Sequence, residues 1–229
     1  MIEKICGIEV DVVRKQVKNI RIKVGSDGSV LLVIPNRCAK KAGVDFFLEK
    51  IDWVKEKVKY RADKPPFAFR SGEKFYLFGE QTLLKVEIGR KNGYLLNSGC
   101  LFLTVRDLAV EKVKSAFEKA LKEILLNKAQ VYFEKWVNLT GLKHSSLTVK
   151  KTISKWGSCN CATNQIGLSL YLANLPEFCL DYVVLHELCH IKYANHGVAF
   201  KNLLSVYMPA WTLVKKYMKD NSQNFTLNF

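Results

Sequence analysis

Three of the chain's four histidines fall within eleven residues, at His186, His190 and His196. The first two belong to His186-Glu187-Leu188-Cys189-His190, an H-E-x-x-H pattern. A helix advances about 100° per residue, so two imidazoles four positions apart lie nearly above one another and can bind one ion. Glu187 lies beside them, where its carboxylate can take a proton from a water next to that ion while the ion polarises a carbonyl. A catalytic zinc needs a third protein ligand and an open fourth position. His196 stands six residues after His190, next to Gly197, where a helix can turn. Three neutral nitrogen donors suit Zn²⁺. The pattern therefore points to zinc-dependent hydrolysis of an amide bond, with Glu187 as the catalytic general base and His186, His190 and His196 as the metal ligands.

The H-E-x-x-H-x5-H spacing is the ligand spacing of metzincins, with Tyr193 where a glycine usually stands. Met208 before Pro209 reads either as a methionine beneath the metal or as core filler at a helix end. The fourth histidine, His144, precedes a strand and is expected at the surface. Cys159 and Cys161 form a C-x-C with no second pair at zinc-finger spacing. Trp156 and Ser158, in Trp156-Gly157-Ser158-Cys159, are expected beside the metal helix. Either they form a substrate wall there or Trp156 packs under the helix as core.

These residues need elements to position them. Val10 to Val13, Asn19 to Val24 and Ser29 to Ile34 read as strands, with a hairpin turn at Ser26-Asp27-Gly28-Ser29. One helix follows from about Lys40 to Arg61, stopped by Lys64-Pro65-Pro66. Strands are expected over Glu73 to Phe78, Thr82 to Ile88, Tyr94 to Leu96 and Cys100 to Val105. A long helix from about Asp107 to Val137 follows, with Asp107 as its cap. Short strands at Leu147 to Lys155 and Gln165 to Tyr171 flank a loop, Gly157 to Asn164. The metal helix starts near Pro176, and further helices span Ala199 to Tyr207 and Thr212 to Met218. Residues 221–229 are expected to be loose, and no internal repeat is evident. The fold class is α+β: an N-terminal β-rich region with one helix, then a C-terminal minimal zincin-like domain. The expected divisions are residues 1–64, 65–105 and 106–229.

The 229 residues are 48% hydrophobic, enough for a substantial core. No apolar run reaches the ~18 residues that cross a bilayer, and the opening residues lack a signal-peptide layout. Seven scattered cysteines suggest reduced thiols and a cytoplasmic location. The net charge of +15 favours anionic partners, nucleic acid among them. Basic residues near the N-terminus, such as Arg14, Lys15, Lys18, Arg21 and Lys40, either bring a partner to the site or only keep the chain soluble.

Trp156-Gly157-Ser158-Cys159, the run Leu180 to His190 and Asn195-His196 resemble the YgjP-like family of metal-dependent hydrolases. The resemblance covers most of the chain, including Asn19 to Pro35 and Ile51-Asp52-Trp53-Val54. His196-Gly197-x-x-Phe200-Lys201 is also similar to SprT/Spartan-type zincins, which include proteases acting near DNA. The YgjP-like resemblance implies a minimal zincin fold, zinc on the three histidines and a catalytic Glu187. Lys155 stands where the YgjP-like family usually has Arg, Ser169-Leu170-Tyr171 replaces a typical Asn-Trp-Arg, Gly197 replaces a usual Ser and Lys201 a usual Trp. The two functions to weigh are a zinc peptidase acting on protein or peptide and a nucleic-acid-associated module recruited by the basic surface.

Overall fold

The computed structural model describes residues 2–25, 27–62 and 67–225. It is a mixed α+β structure with three sheets and six α-helices among these residues. The chain divides into two compact units, with the boundary between Phe67 and Ala68. The expected stop at Lys64-Pro65-Pro66 lies outside the described residues.

In the first unit, β1 (Ile2–Ile5), β2 (Ile8–Lys15), β3 (Arg21–Val24) and β4 (Val30–Pro35) form a sheet in the order β1-β2-β4-β3. Apolar residues of β2 and β4, including Val10, Leu32 and Ile34, meet Phe47 and Val54 in a core of their own. Two helices cover this core where one was expected: α1 (Lys40–Glu49) and α2 (Ile51–Ala62). The break falls at Lys50, whose backbone leaves the helical region (φ −107°, ψ 12°) while its N–H still bonds back to Phe47 and Leu48. The apolar spacing runs on across the break, so periodicity alone could not reveal it. Arg14, one of the basic residues weighed either as recruiting a partner or as scaffold, donates to the carbonyls of Asn36 and Cys38 at 3.0 and 2.9 Å. Lys40 pairs with Glu3.

The second unit opens with β5 (Lys74–Leu77), β6 (Glu80–Ile88), β7 (Gly93–Asn97) and β8 (Cys100–Val105), in the order β5-β6-β8-β7. This is the topology of the first sheet: an antiparallel pair, a central parallel pair and a second antiparallel pair. The first hairpin of each sheet turns through two residues of positive φ. These are Cys6 and Gly7 (49° and 84°) in one and Phe78 and Gly79 (50° and 85°) in the other. That backbone twist matches the right-handed twist of the flanking strands. An internal repeat is therefore present. It lies in topology and turn geometry, which many side chains satisfy, so the sequence does not display it. Strand β1 was also unforeseen, because Cys-Gly is not one of the strong hairpin signals.

Helix α3 (Val110–Thr140) runs for roughly 46 Å at the usual rise per residue. Val113, Phe117, Leu121, Leu125, Ala129 and Phe133 recur every four residues and are buried, which forms one apolar stripe. Phe75 of the sheet meets Phe117 edge-on at 5.0 Å. Asp107 does not cap this helix. Its carboxylate accepts from Ala109 N–H, the residue before the first turn.

A third sheet of β9 (Ser146–Lys150), β10 (Gly157–Asn160) and β11 (Gln165–Ser169), ordered β10-β11-β9, precedes a 3-10 turn over Leu170–Asn174. The expected loop from Gly157 thus begins as an edge strand. Small and polar residues gave it no strand signal, and its pairing with β11 supplies what local propensity does not. Then come α4 (Glu177–Lys192), α5 (Val198–Tyr207) and α6 (Trp211–Phe225). The C-terminal stretch expected to be loose is helical as far as Phe225. Residues 226–229 lie outside the described residues.

Helix α4 is tied to α3 by four side-chain bonds. Lys128 and Tyr132 donate to Glu177 at 2.7 and 2.8 Å. Lys135 and Trp136 donate to Asp181 at 2.8 and 2.6 Å. At its other flank, Phe78 N–H donates to Ala173 O at 2.7 Å and Asn174 Nδ2 donates to Tyr76 O at 2.7 Å. The β5–β6 turn therefore props the approach to α4. A Cβ on Gly79 would lie 2.9 Å from Pro176 Cα, on a backbone already at φ +85°. Hydrogen bonds, that from Lys128 first, hold the Glu177 carboxyl below its ordinary value. A lowered carboxyl stabilises the fold above its unfolded value and ceases to do so as the pH falls through the folded one. Urea midpoints of the wild type should therefore drop through the acidic carboxylate range, and Glu177→Gln should show a shallower drop there. Parallel curves would mean that ionised Glu177 contributes nothing to the α3–α4 tie.

Candidate active site

Helix α4 is buried nearly all round. Cys179, Leu180, Tyr182, Val183, Val184, Leu185, Leu188 and Cys189 are all buried. The burial extends beyond one side because α3, β10, α5 and α6 all pack on this helix. His186 and His190 are half-buried on the remaining face, four residues apart. After α4 ends at Lys192, a short turn brings His196 back over them.

The three rings converge. His196 Nε2 lies 3.0 Å from His186 Nε2 and 3.1 Å from His190 Nε2. Among the described residues, the three are a group whose ligating atoms all lie within 4.8 Å of one another, as holding one metal ion requires. Phe200, 2% exposed on α5, packs beneath all three, with its centroid 4.9, 4.6 and 4.8 Å from the rings of His186, His190 and His196. His190 Nδ1 faces the carbonyl of Tyr193 at 3.0 Å. A proton held there leaves Nε2 as the free lone pair. Tyr182, one turn before His186, approaches its Nδ1 with the phenol oxygen at 3.4 Å. Burial, then the neighbouring His190 and His196, push His186 down to about 3, so its imidazole is neutral at physiological pH. Burial also lowers His196.

Glu187 is 5% exposed. Burial pushes its carboxyl up to about 7, and the nearby Lys155 ammonium acts in the opposite direction. Room for the carboxylate comes from Gly157 on β10. A Cβ there would collide with Glu187 Oε1 and lie 2.7 Å from its Cγ. The edge strand approaches the helix this closely because residue 157 has no side chain.

The imidazoles and Glu187 open onto a cleft of about 1110 Å³. Trp156 and Ser158 line it, together with Cys159, Cys161 and four lysines. Met208 is not part of the lining; the methionine there is Met218. His144 is half-buried rather than on the surface, with its ring 4.3 Å from Phe133, and stands apart from the cleft. All seven cysteines are free thiols. Burial, with Cys161 beside it, pushes Cys159 up to about 11. No helix among the described residues is long and apolar enough to cross a membrane.

Sequence reasoning does not single out four contributors. Tyr182 stands one turn before His186, a spacing that places it on the ligand face. Gly157 belongs to the Trp156 motif, but nothing in the sequence marks it as the gap that admits Glu187. Phe200 stands four residues after His196 in the SprT-like motif, which does not show that it packs under the rings. The lysines of α6 stand at helical spacing, and only the docking of that helix gives their face a meaning.

The chain belongs to the YgjP-like family, whose metallopeptidase-domain model matches residues 18–221. A curated relative, an uncharacterized protein of Methanocaldococcus jannaschii, is 37% identical over 65 residues, 27% of this chain. The match spans 59% of that relative's length. Two metallopeptidase zymogen crystal structures are also similar. Jannalysin of Methanocaldococcus jannaschii is 25% identical, over 41% of this chain and 88% of its own, with a TM-score of 0.37. Abylysin of Pyrococcus abyssi is 17% identical, over 40% of this chain and 93% of its own, also at 0.37.

The Gly157 contact can be tested directly. Gly157→Ala should leave secondary structure and metal content intact and displace the Glu187 carboxylate; if that carboxylate is a general base, hydrolysis should fall by about 10²-fold or more. Full activity in Gly157→Ala would show that the close approach has no part in the site.

Proposed function

We propose that the chain is a zinc metallopeptidase, with the ion on the Nε2 atoms of His186, His190 and His196 and with Glu187 as general base. The observation that carries this reading is the convergence of three imidazole nitrogens at 3.0–3.1 Å, beside a buried carboxylate, at the mouth of one cleft. The donor set fits the ion. Zn–N bonds of about 2.0–2.1 Å set tetrahedral ligand atoms roughly 3.3–3.4 Å apart, close to the separations here. His186 is neutral, which is the ligating form. When bound, zinc supplies Lewis-acid polarisation of the scissile carbonyl and acidifies water at the site.

The chain's own groups do the rest. The Glu187 carboxylate takes the proton of the attacking water and then passes it to the leaving amine. Its raised value makes it a stronger base once ionised, matched to neutral pH. The Tyr193 carbonyl fixes the ring of His190, and the packing of Phe200 holds the three imidazoles at one spacing. Strand β10 is an edge strand, paired on one side only. An extended peptide can add to its free side by backbone hydrogen bonding, which makes Trp156 and Ser158 part of the substrate wall. The groups given chemical roles all come from residues 106–229, the segment proposed as the zincin-like peptidase domain. Residues 1–64 and 65–105 are proposed to be without chemistry of their own. Seven free thiols suit a reducing compartment such as the cytoplasm.

Glu187→Gln is nearly isosteric and cannot accept the proton. It should retain one zinc per chain by elemental analysis while turnover of a proteome-derived peptide library falls about 10²–10⁴-fold. Unchanged turnover would place the base elsewhere, and stoichiometric zinc in His186→Ala/His190→Ala would move the metal site.

A further inference from the structure

We propose that this site selects acidic peptides: segments with Asp or Glu near the scissile bond, held between Lys155, two residues before the edge strand, and Lys215, Lys216 and Lys219 of α6. The inference rests on the peptidase reading above and adds a substrate class to it.

Helix α6 is amphipathic in an informative way. Met218 is 3% exposed, and Trp211, Val214, Tyr217 and Asn221 are half-buried on the same side. Thr212, Lys215, Lys216 and Lys219 recur at helical spacing on the other side and line the cleft. A merely solvated face would point away from the reaction site, and this one points into it. No ion pair among the described residues engages any of the four cleft lysines. The acidic groups of the lining are Glu187, which the reaction uses, and Asp220. Lys155 adjoins the edge strand, and Lys215, Lys216 and Lys219 lie on α6, all lining the one cleft. Positive charge thus stands on both the strand side and the α6 side of the reacting groups.

One feature favours an acidic peptide over nucleic acid. The edge strand presents alternating N–H and C=O groups, which a peptide backbone can pair with and a sugar–phosphate backbone cannot.

The test uses the full-length, zinc-loaded chain. Cleavage sites in a proteome-derived peptide library are read by mass spectrometry. Separately, a fluorescent Glu-rich peptide and its Gln counterpart are titrated onto Glu187→Gln at about 20 and about 150 mM salt, with a single-stranded oligonucleotide as competitor. Asp and Glu should be enriched around the cleaved bonds. The Glu peptide should bind about tenfold more tightly at low salt, as a few exposed charge pairs allow, and the gap should narrow at higher salt. The gap should shrink severalfold in Lys215→Gln/Lys216→Gln/Lys219→Gln, which keeps Lys155, and reverse in the corresponding Glu triple variant. Cleavage without acidic enrichment would overturn this inference and leave the peptidase intact. A preference undiminished in the Gln triple variant, or an oligonucleotide that outcompetes the Glu peptide, would also overturn it. Charge-selective binding that is lost in the triple variant, with no bond cleaved, would support the acidic cleft and sink the peptidase reading instead.

Discussion

Nine of the sixteen residues of α4 are buried, and Glu187 is one of them. Water is excluded from this helix on nearly every side, and a low-dielectric surround penalises charge. That penalty keeps His186 neutral and raises Glu187, so one constraint suits both to the roles proposed for them. An exposed helix carrying the same H-E-x-x-H pattern would hold a freely ionised carboxylate and imidazoles titrating near their ordinary value. The pattern becomes a candidate catalytic centre through what packs around it.

The surrounding elements supply that packing and offset its cost. Asp181 and Glu177, the acids of the helix's early turns, find partners in Trp136, Lys135, Lys128 and Tyr132 of α3. The turn at Phe78 and Gly79 supports the segment that leads into Pro176. On the opposite side, β10 comes close enough to shield Glu187 only because residue 157 is glycine. Phe200 then closes the base of the triad, in contact with all three imidazoles. Packing of this kind reduces the ordering cost of binding a ligand.

Much of this was legible in the sequence, for identifiable reasons. Helical spacing and residue type suffice to single out His186, Glu187 and His190, and Gly197 marks the turn that returns His196. Alternating apolar residues revealed most strands. What stayed hidden depends on tertiary partners. Strand β10 has no β-propensity of its own and exists through β11. The break at Lys50 interrupts an apolar pattern that runs through it. The shared topology of the first two sheets is carried by turn geometry rather than residue identity. The lysines of α6 acquire meaning only once the helix is docked beside α4.

The central claim is that three imidazole nitrogens, and no thiolate, hold a single zinc ion, although Cys159 and Cys161 line the same cleft. X-ray absorption at the zinc K-edge of the metal-loaded chain tests this most directly, because nitrogen and sulfur ligands differ in distance and scattering. The account predicts a shell of nitrogen and oxygen at about 2.0–2.1 Å, with the imidazole signature of three histidines and no sulfur. A sulfur shell near ~2.3 Å would contradict it and shift the metal to the cysteines of β10 and its turn.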